Sequence, residues 1–263
     1  LSLYSLKSVF ISNVSYFKKY KNRFGMTGTL GTLQERLKLT ELYKLDFATI
    51  PPYLPRKFTE YEAILTNSMS DWLMKIFSDT KIMFEANRSV LVICETIKDI
   101  KTIQMAFEEH GKDIFEQGSI LIYKRDYESF EFSKLNQKKV IISTNLAGRG
   151  MDITLSKDLK ESGGLHVILT YLASNIRVES QAYGRSSRVG ARGSARLIIF
   201  SSSDANICSL KYERDKNELT RLDSVAVYYN NFITVEEELF KIFMDEFKSY
   251  SDSIIDLSLR EIL

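Results

Sequence analysis

Two stretches of this chain carry residue types and spacings suited to handling a polyphosphate. Residues 143–153 read Ser-Thr-Asn-Leu-Ala-Gly-Arg-Gly-Met-Asp-Ile, and residues 181–190 read Gln-Ala-Tyr-Gly-Arg-Ser-Ser-Arg-Val-Gly. In the first, Gly148 and Gly150 flank Arg149, so the backbone can turn tightly and approach a ligand closely. Asp152 is placed to accept hydrogen bonds from a sugar hydroxyl or a neighbouring guanidinium. In the second, Arg185 and Arg188 stand three residues apart, a spacing that on a helix puts both on one side, facing a common anion. Taken singly, a Gly-Arg-Gly is more often a solvated turn and two arginines a solvated helix face. The two stretches together, with their small Ser and Gly neighbours, point to a site.

Such residues need a scaffold, and the pattern supplies one. The β-forming run Lys139 to Ile142 gives way to the first stretch, as when a buried parallel strand delivers a loop to a sheet edge, where such folds bind ligands. Around it, strands are expected at 62–66, 89–94, 119–123, 165–171 and 194–200. Helices are expected at 68–86, at 96–110 closed by Gly111, near 127–135, and from about Ile176 carrying the two arginines. This alternation predicts an α/β fold with a parallel sheet flanked by helices. Upstream, the pattern gives a helix over 6–20, a strand at 24–29, a helix at 33–43 and a strand at 46–50. Pro51, Pro52 and Pro55 force an extended linker. From Asp204 onward long charged amphipathic helices form a C-terminal appendage. Trp72, Phe77 and Phe84 make a helical stripe that reads as core, and His166, in an apolar strand, reads as a satisfied core histidine.

Composition narrows the class without choosing a partner. The chain has 263 residues, 44% of them hydrophobic, enough for one large or two small cores. A net charge of +2 is too mild to imply nucleic acid. Cys94 and Cys208 lack a Cys-x-x-Cys companion and have only two histidines to assist them, so neither a metal site nor a disulfide framework is expected, and a reducing compartment is. No stretch approaches the ~20 apolar residues of a membrane span, and no signal-peptide layout opens the chain. Because Leu1 enters an amphipathic pattern almost at once, a piece of a longer polypeptide is expected.

Four blocks, in order, resemble the second motor domain of SecA, a preprotein-translocating ATPase of the helicase-like superfamily with two RecA-like domains. They are Gly25-Met-Thr-Gly-Thr29, the segment from Thr144 to Ile153, Gly163-Gly-Leu-His-Val167, and Gln181-x-x-Gly-Arg-Ser-x-Arg-x-Gly190; the likeness spans residues 6–203. It implies a RecA-like sheet and ATP bound in a cleft between two such domains. Arg185 and Arg188 would then reach the phosphates as catalytic groups, one as an arginine finger, while Thr144, Asn145, Gly148, Arg149, Gly150, Asp152, Gln181 and Gly184 would line the nucleotide or the domain interface. Thr27, Gly28 and Thr29 would couple hydrolysis to closure. On this basis residues 1–50 are the end of the first motor domain, 51–60 a linker, 61–203 the second motor domain and 204–263 a scaffold-like tail. The implied partners are an upstream first motor domain of the same polypeptide, which would hold most of the ATP and Mg²⁺, a polypeptide substrate and a membrane translocon. Nucleic acid is not implied, and the implied location is cytoplasmic and peripheral at a membrane.

The departures bear on activity. No Gly-x-x-x-x-Gly-Lys-[Ser/Thr] occurs; Gly111-Lys112-Asp113 lacks both the hydroxyl and the upstream glycines, and no acidic pair after an apolar strand supplies a Mg²⁺ end. The chain alone is therefore not expected to hydrolyse ATP. Where SecA would show Thr-Glu-Arg-His-Glu-Ser, residues 170–175 read Thr-Tyr-Leu-Ala-Ser-Asn, and the acidic residue due after the Gly-Met-Thr-Gly-Thr block is Leu33, with Glu35 two places late. Two other readings remain: a nucleic-acid helicase or translocase with the same engine, and a non-catalytic SecA-like module of a larger scaffold.

Overall fold

The computed structural model describes residues 11–123, 134–145, 153–202 and 205–260. Two compact units make up the chain, one from Ala48 to Lys216 and one from the residues up to Phe47 together with those from Asn217 onward. In chain order the elements are α1 (Asn13–Lys18), α2 (Leu33–Tyr43), β1 (Lys57–Glu60), β2 (Ile64–Thr66), α3 (Met69–Glu85), β3 (Val90–Cys94), α4 (Ile97–His110), β4 (Ile120–Tyr123), β5 (Val140–Thr144), α5 (Lys157–Glu161), β6 (Leu165–Leu169), α6 (Ile176–Tyr183), β7 (Arg192–Phe200), α7 (Ile207–Tyr228) and α8 (Thr234–Arg260).

All strand pairings in the central unit are parallel, in the order β1-β7-β6-β3-β5-β4, with β2 pairing the far end of β7. Strands β3, β5 and β6 are buried at every residue, which explains why they read as continuous apolar runs rather than alternating ones. Their side chains still alternate between two cores. Val90, Val92, Cys94, Val140, Ile142 and Ile168 pack with Trp72, Ile76 and Phe107 of α3 and α4. Leu91, Ile93, Ile141, Leu165, Val167 and Leu169 pack with Leu159 of α5 and Ala182 and Tyr183 of α6 on the other face. The predicted Trp72, Phe77 and Phe84 stripe is thus core, and the Trp72 indole N–H reaches the carbonyls of Thr170 and Ile198 at 3.2 and 3.1 Å.

Local chemistry sets the element ends. Ser68 and Thr96 cap α3 and α4 through hydrogen bonds from the amides of Asp71 and Asp99, and Asp99 returns the bond to the Thr96 amide in a capping box. Gly164 enters β6 at φ 74°, and a side chain there would collide with the Arg192 carbonyl, so the tight entry into the strand depends on glycine.

Three expectations need correction. Residues 24–29 form no strand; Phe24 is 97% exposed and Met26 fully so, and no strand among the described residues pairs with that backbone. Residues 46–50 are also non-regular, while the edge of the sheet comes from β1 and β2, two short strands interrupted at Tyr61, whose amide bonds the Ala195 carbonyl at 2.8 Å. The helix expected near 127–135 falls largely outside the described residues, and its last member, Leu135, forms a parallel bridge with Leu155.

In the second unit, α1 is tied to α8 through Glu237, which accepts from the Ser12 amide at 2.6 Å and from the Ser15 hydroxyl. Lys38 of α2 pairs with Asp223 at 3.3 Å. A single π-helical turn, Tyr229–Ile233, joins α7 to α8.

Candidate functional site

Because β3, β5 and β6 are parallel, their carboxy ends share one edge. There β5 delivers Thr144, buried, followed by Asn145; β3 is followed by Glu95; and β6 is followed by Thr170 and Tyr171. Thr170 is fixed by its hydroxyl, which donates to the Ile93 carbonyl at 3.0 Å. The Tyr171 hydroxyl is held above its ordinary pKa by burial and by the negative charge of Glu95, against the opposing pull of Arg185 and a hydrogen bond with Asn145. Asn145, Tyr171 and Glu95 thus lie close at this edge, with Arg185 within electrostatic reach of Tyr171.

Helix α6 begins at Asn175, whose side chain accepts from the Val178 amide at 3.0 Å, and ends at Tyr183. The expectation of both arginines on this helix is corrected: Gly184, Arg185 and Ser186 continue as tight turns, with the Arg185 amide on the Ala182 carbonyl at 3.3 Å and the Ser186 amide on Tyr183 at 3.1 Å. The chain then passes close to β7: any side chain at Gly193 would strike the Ser186 carbonyl. The turn separates the two cations by environment. Arg185 is only 8% exposed, whereas Arg188 faces solvent. Burial and the neighbouring Arg188 charge bring the Arg185 guanidinium down to about 10. Burial and like charge thus both bear on Arg185, while Arg188 keeps its charge in water.

Gln181 lies exposed on the last turn of α6, with Gly184 just past it. Gly148, Arg149, Gly150 and Asp152 lie outside the described residues. Thr27, Gly28 and Thr29 belong to the other unit, in non-helical backbone where the Thr29 amide bonds the Thr27 hydroxyl at 3.1 Å. Sequence reasoning missed Tyr171 and Glu95 as members of the edge. Tyr171 was visible only as part of a segment that departs from a pattern.

It also missed a buried polar chain under the sheet. Arg88 Nη2 donates to Ser194 Oγ at 2.7 Å, Ser194 Oγ lies 2.8 Å from His166 Nδ1, and His166 Nε2 lies 2.9 Å from Asp79 Oδ2. Arg196 Nη1 closes it on Asp79 Oδ1 at 2.5 Å. Burial, opposed by the bond to Asp79, holds His166 below its ordinary pKa, so the ring is neutral with its proton on Nε2 and accepts the Ser194 proton on Nδ1. His166 is the satisfied core histidine the sequence suggested; the Ser-His-Asp order is not a hydrolytic triad, because the Ser194 hydroxyl is itself buried and held by Arg88.

The parallel sheet flanked by helices on both faces is a RecA-like, helicase-type α/β domain, here with a helical C-terminal segment. No family model matches the chain. The protein translocase subunit SecA of Syntrophus aciditrophicus is 30% identical over 202 residues, 76% of this chain and 23% of that protein. Protein translocase subunit SecA 2 of Lactobacillus johnsonii is 31% identical over 207 residues, 78% of this chain and 25% of that one. The chain belongs to the SecA family and spans about a quarter of the length of the curated relatives it matches. Among solved structures, domain 2 of the DEAD-box helicase Mss116p bound to an RNA duplex aligns with TM-score 0.41 and 17% identity over 54% of each chain.

Proposed function

We propose that the chain supplies the second-domain half of an ATP site in a SecA-type motor that moves polypeptide. Residues 61–203 would be the second motor domain, 1–50 the end of the first, 51–60 the link between them and 204–263 a scaffold-like tail. The observation that carries this reading is the buried Arg185, its guanidinium brought down to about 10 beside Arg188, next to the strand end that carries Thr144 and Asn145. Two arginines, one buried and one exposed, suit the terminal phosphates of a nucleotide; Mg²⁺, when bound, would offset phosphate charge and would be held by the upstream domain. Arg188, exposed, would reach the γ-phosphate as the finger, and Arg185 would set the field at the edge. Asn145 and Tyr171 would fix the strand-end loop, and Gln181 with Gly184 would line the interface. The relatives named as protein translocase subunits support the polypeptide substrate and a membrane translocon as partners. No helix among the described residues is long and apolar enough to cross a membrane, in keeping with a peripheral protein.

The test is steady-state ATP hydrolysis by the complete natural polypeptide and by its Arg188→Ala variant, with unfolded preprotein or RNA added in turn. Loss of an arginine finger should lower the rate by ~10³-fold or more, and preprotein should stimulate the wild type. Wild-type rates in Arg188→Ala would overturn the assignment, and stimulation by RNA alone would replace the polypeptide substrate with nucleic acid.

A further inference from the structure

We propose a second anion site at the opposite, amino-terminal edge of the sheet, built to take a compact soluble phosphate compound with two or more negative charges. Strands β1, β3, β6 and β7 are parallel, so the residues that begin or precede them share that edge: Lys57 opens β1, Arg88 precedes β3, Gly163 precedes β6 and Arg192 opens β7. With Arg56 they line an open cavity of about 500 Å³, and its walls contain no aspartate or glutamate. Four cations around one concavity whose lining carries no carboxylate concentrate positive potential there and favour an anionic occupant.

The cations are also held in place. Arg56 donates from Nε to the Ser187 hydroxyl at 2.7 Å and from Nη2 to the Tyr183 carbonyl at 3.3 Å, and its guanidinium lies 4.1 Å from the centre of the Phe58 ring. Arg88, 8% exposed, spends its other donors on the carbonyls of Gly164 and Leu165 at 3.0 and 3.3 Å and on Met83 Sδ. All these acceptors are neutral. None of Arg56, Lys57, Arg88 and Arg192 forms an ion pair among the described residues, and the nearest buried carboxylate, Asp79, is already taken by Arg196 and His166. Burial accordingly holds the Arg88 guanidinium below its usual value. The floor thus carries a buried charge that Tyr61 and Asp79 offset only in part, Arg56 is oriented by stacking, and Lys57 and Arg192 stand exposed at the rim. Guanidinium forks match phosphate oxygens in pairs, and the charge count favours a dianion over a monocarboxylate.

The experiment is calorimetric titration of the chain with pyrophosphate at low salt, carried out in an Arg188→Ala background so that the nucleotide edge contributes less. Lys57→Ala and Arg192→Ala are then added together; both side chains are exposed, and thermal melts verify that the fold is retained. The expected result is saturable binding that survives Arg188→Ala and weakens at least tenfold in the triple variant. Absence of saturable binding, binding abolished by Arg188→Ala alone, or affinity unchanged in the triple variant would each overturn the site.

Discussion

His166 and Asp79 share a hydrogen bond of 2.9 Å across the buried face of the sheet, and it sets a pH limit on the fold. Burial lowers the His166 pKa, so the folded state binds its proton less readily than the unfolded chain, whose histidine titrates near 6.5. The sign follows directly. Stability is complete above about pH 6.5 and falls as pH drops below it, by at most ~1.4 kcal/mol per pH unit for one group, until the folded-state value is reached. Urea unfolding between pH 7.5 and 5 should show this slope, and His166→Gln, although less stable at neutral pH, should show a shallower one. An identical slope in the variant would remove His166 as its source.

The Glu179 and Arg214 pair should behave as a buried salt bridge does. Both side chains are buried; Glu179 also takes Lys211 at 2.8 Å, and Arg214 also reaches Asp215 at 2.8 Å. Glu179→Ala leaves Arg214 buried with only a partly exposed partner and should cost about 3 kcal/mol. Replacing both by Met should recover most of that, because two matched apolar groups need no desolvation of charge. Equal losses in the single and double variants would show that packing, not charge, holds α6 to α7.

The two cysteines should differ sharply as nucleophiles. Burial in β3 pushes the Cys94 thiol up to about 12, whereas Cys208 is exposed at the start of α7. Titration of the native protein with a thiol reagent at pH 8 should therefore give one rapid equivalent, lost in Cys208→Ser, and a second only after denaturant is added. Rapid modification of Cys94 in the native protein would mean that the central strand opens far more readily than its burial indicates.

The sheet was legible because its strands are buried on both faces: the runs at Val90, Val140 and Leu165 have no other reading once helices alternate with them. Residues 24–29 misled for the same reason, since Phe24 and Met26 look like core residues but stand exposed, with no strand paired to them among the described residues. At the proposed site, the spacing of residues 181–190 singled out Arg185 and Arg188, and the family resemblance singled out Thr144. Spacing could not give the turn that buries one arginine and exposes the other, since a close approach such as Ser186 to Gly193 is a matter of tertiary packing. The amino-edge cavity was invisible: its cations come from positions 56, 57, 88 and 192, which only the sheet order brings together.

Arg185 should be a residue kept at a cost to the fold. At neutral pH it is charged, yet burial and Arg188, opposed in part by Tyr171, bring its pKa from the ordinary 12.5 to about 10, so keeping that charge costs the fold stability. The penalty is roughly 3 kcal/mol at neutral pH, partly offset by the contacts its stem makes. Arg185→Met keeps the length and apolar stem while removing the charge, so the nucleotide-free variant should melt at or above the wild-type temperature. Nucleotide binding by the complete polypeptide should weaken in the same variant, because the attraction to phosphate goes with the charge. Thermal melts with and without ATP separate the two effects: ATP should raise the wild-type midpoint more than that of the variant. A variant that melts well below wild type and gains as much from ATP would assign Arg185 to holding the turn rather than to the nucleotide.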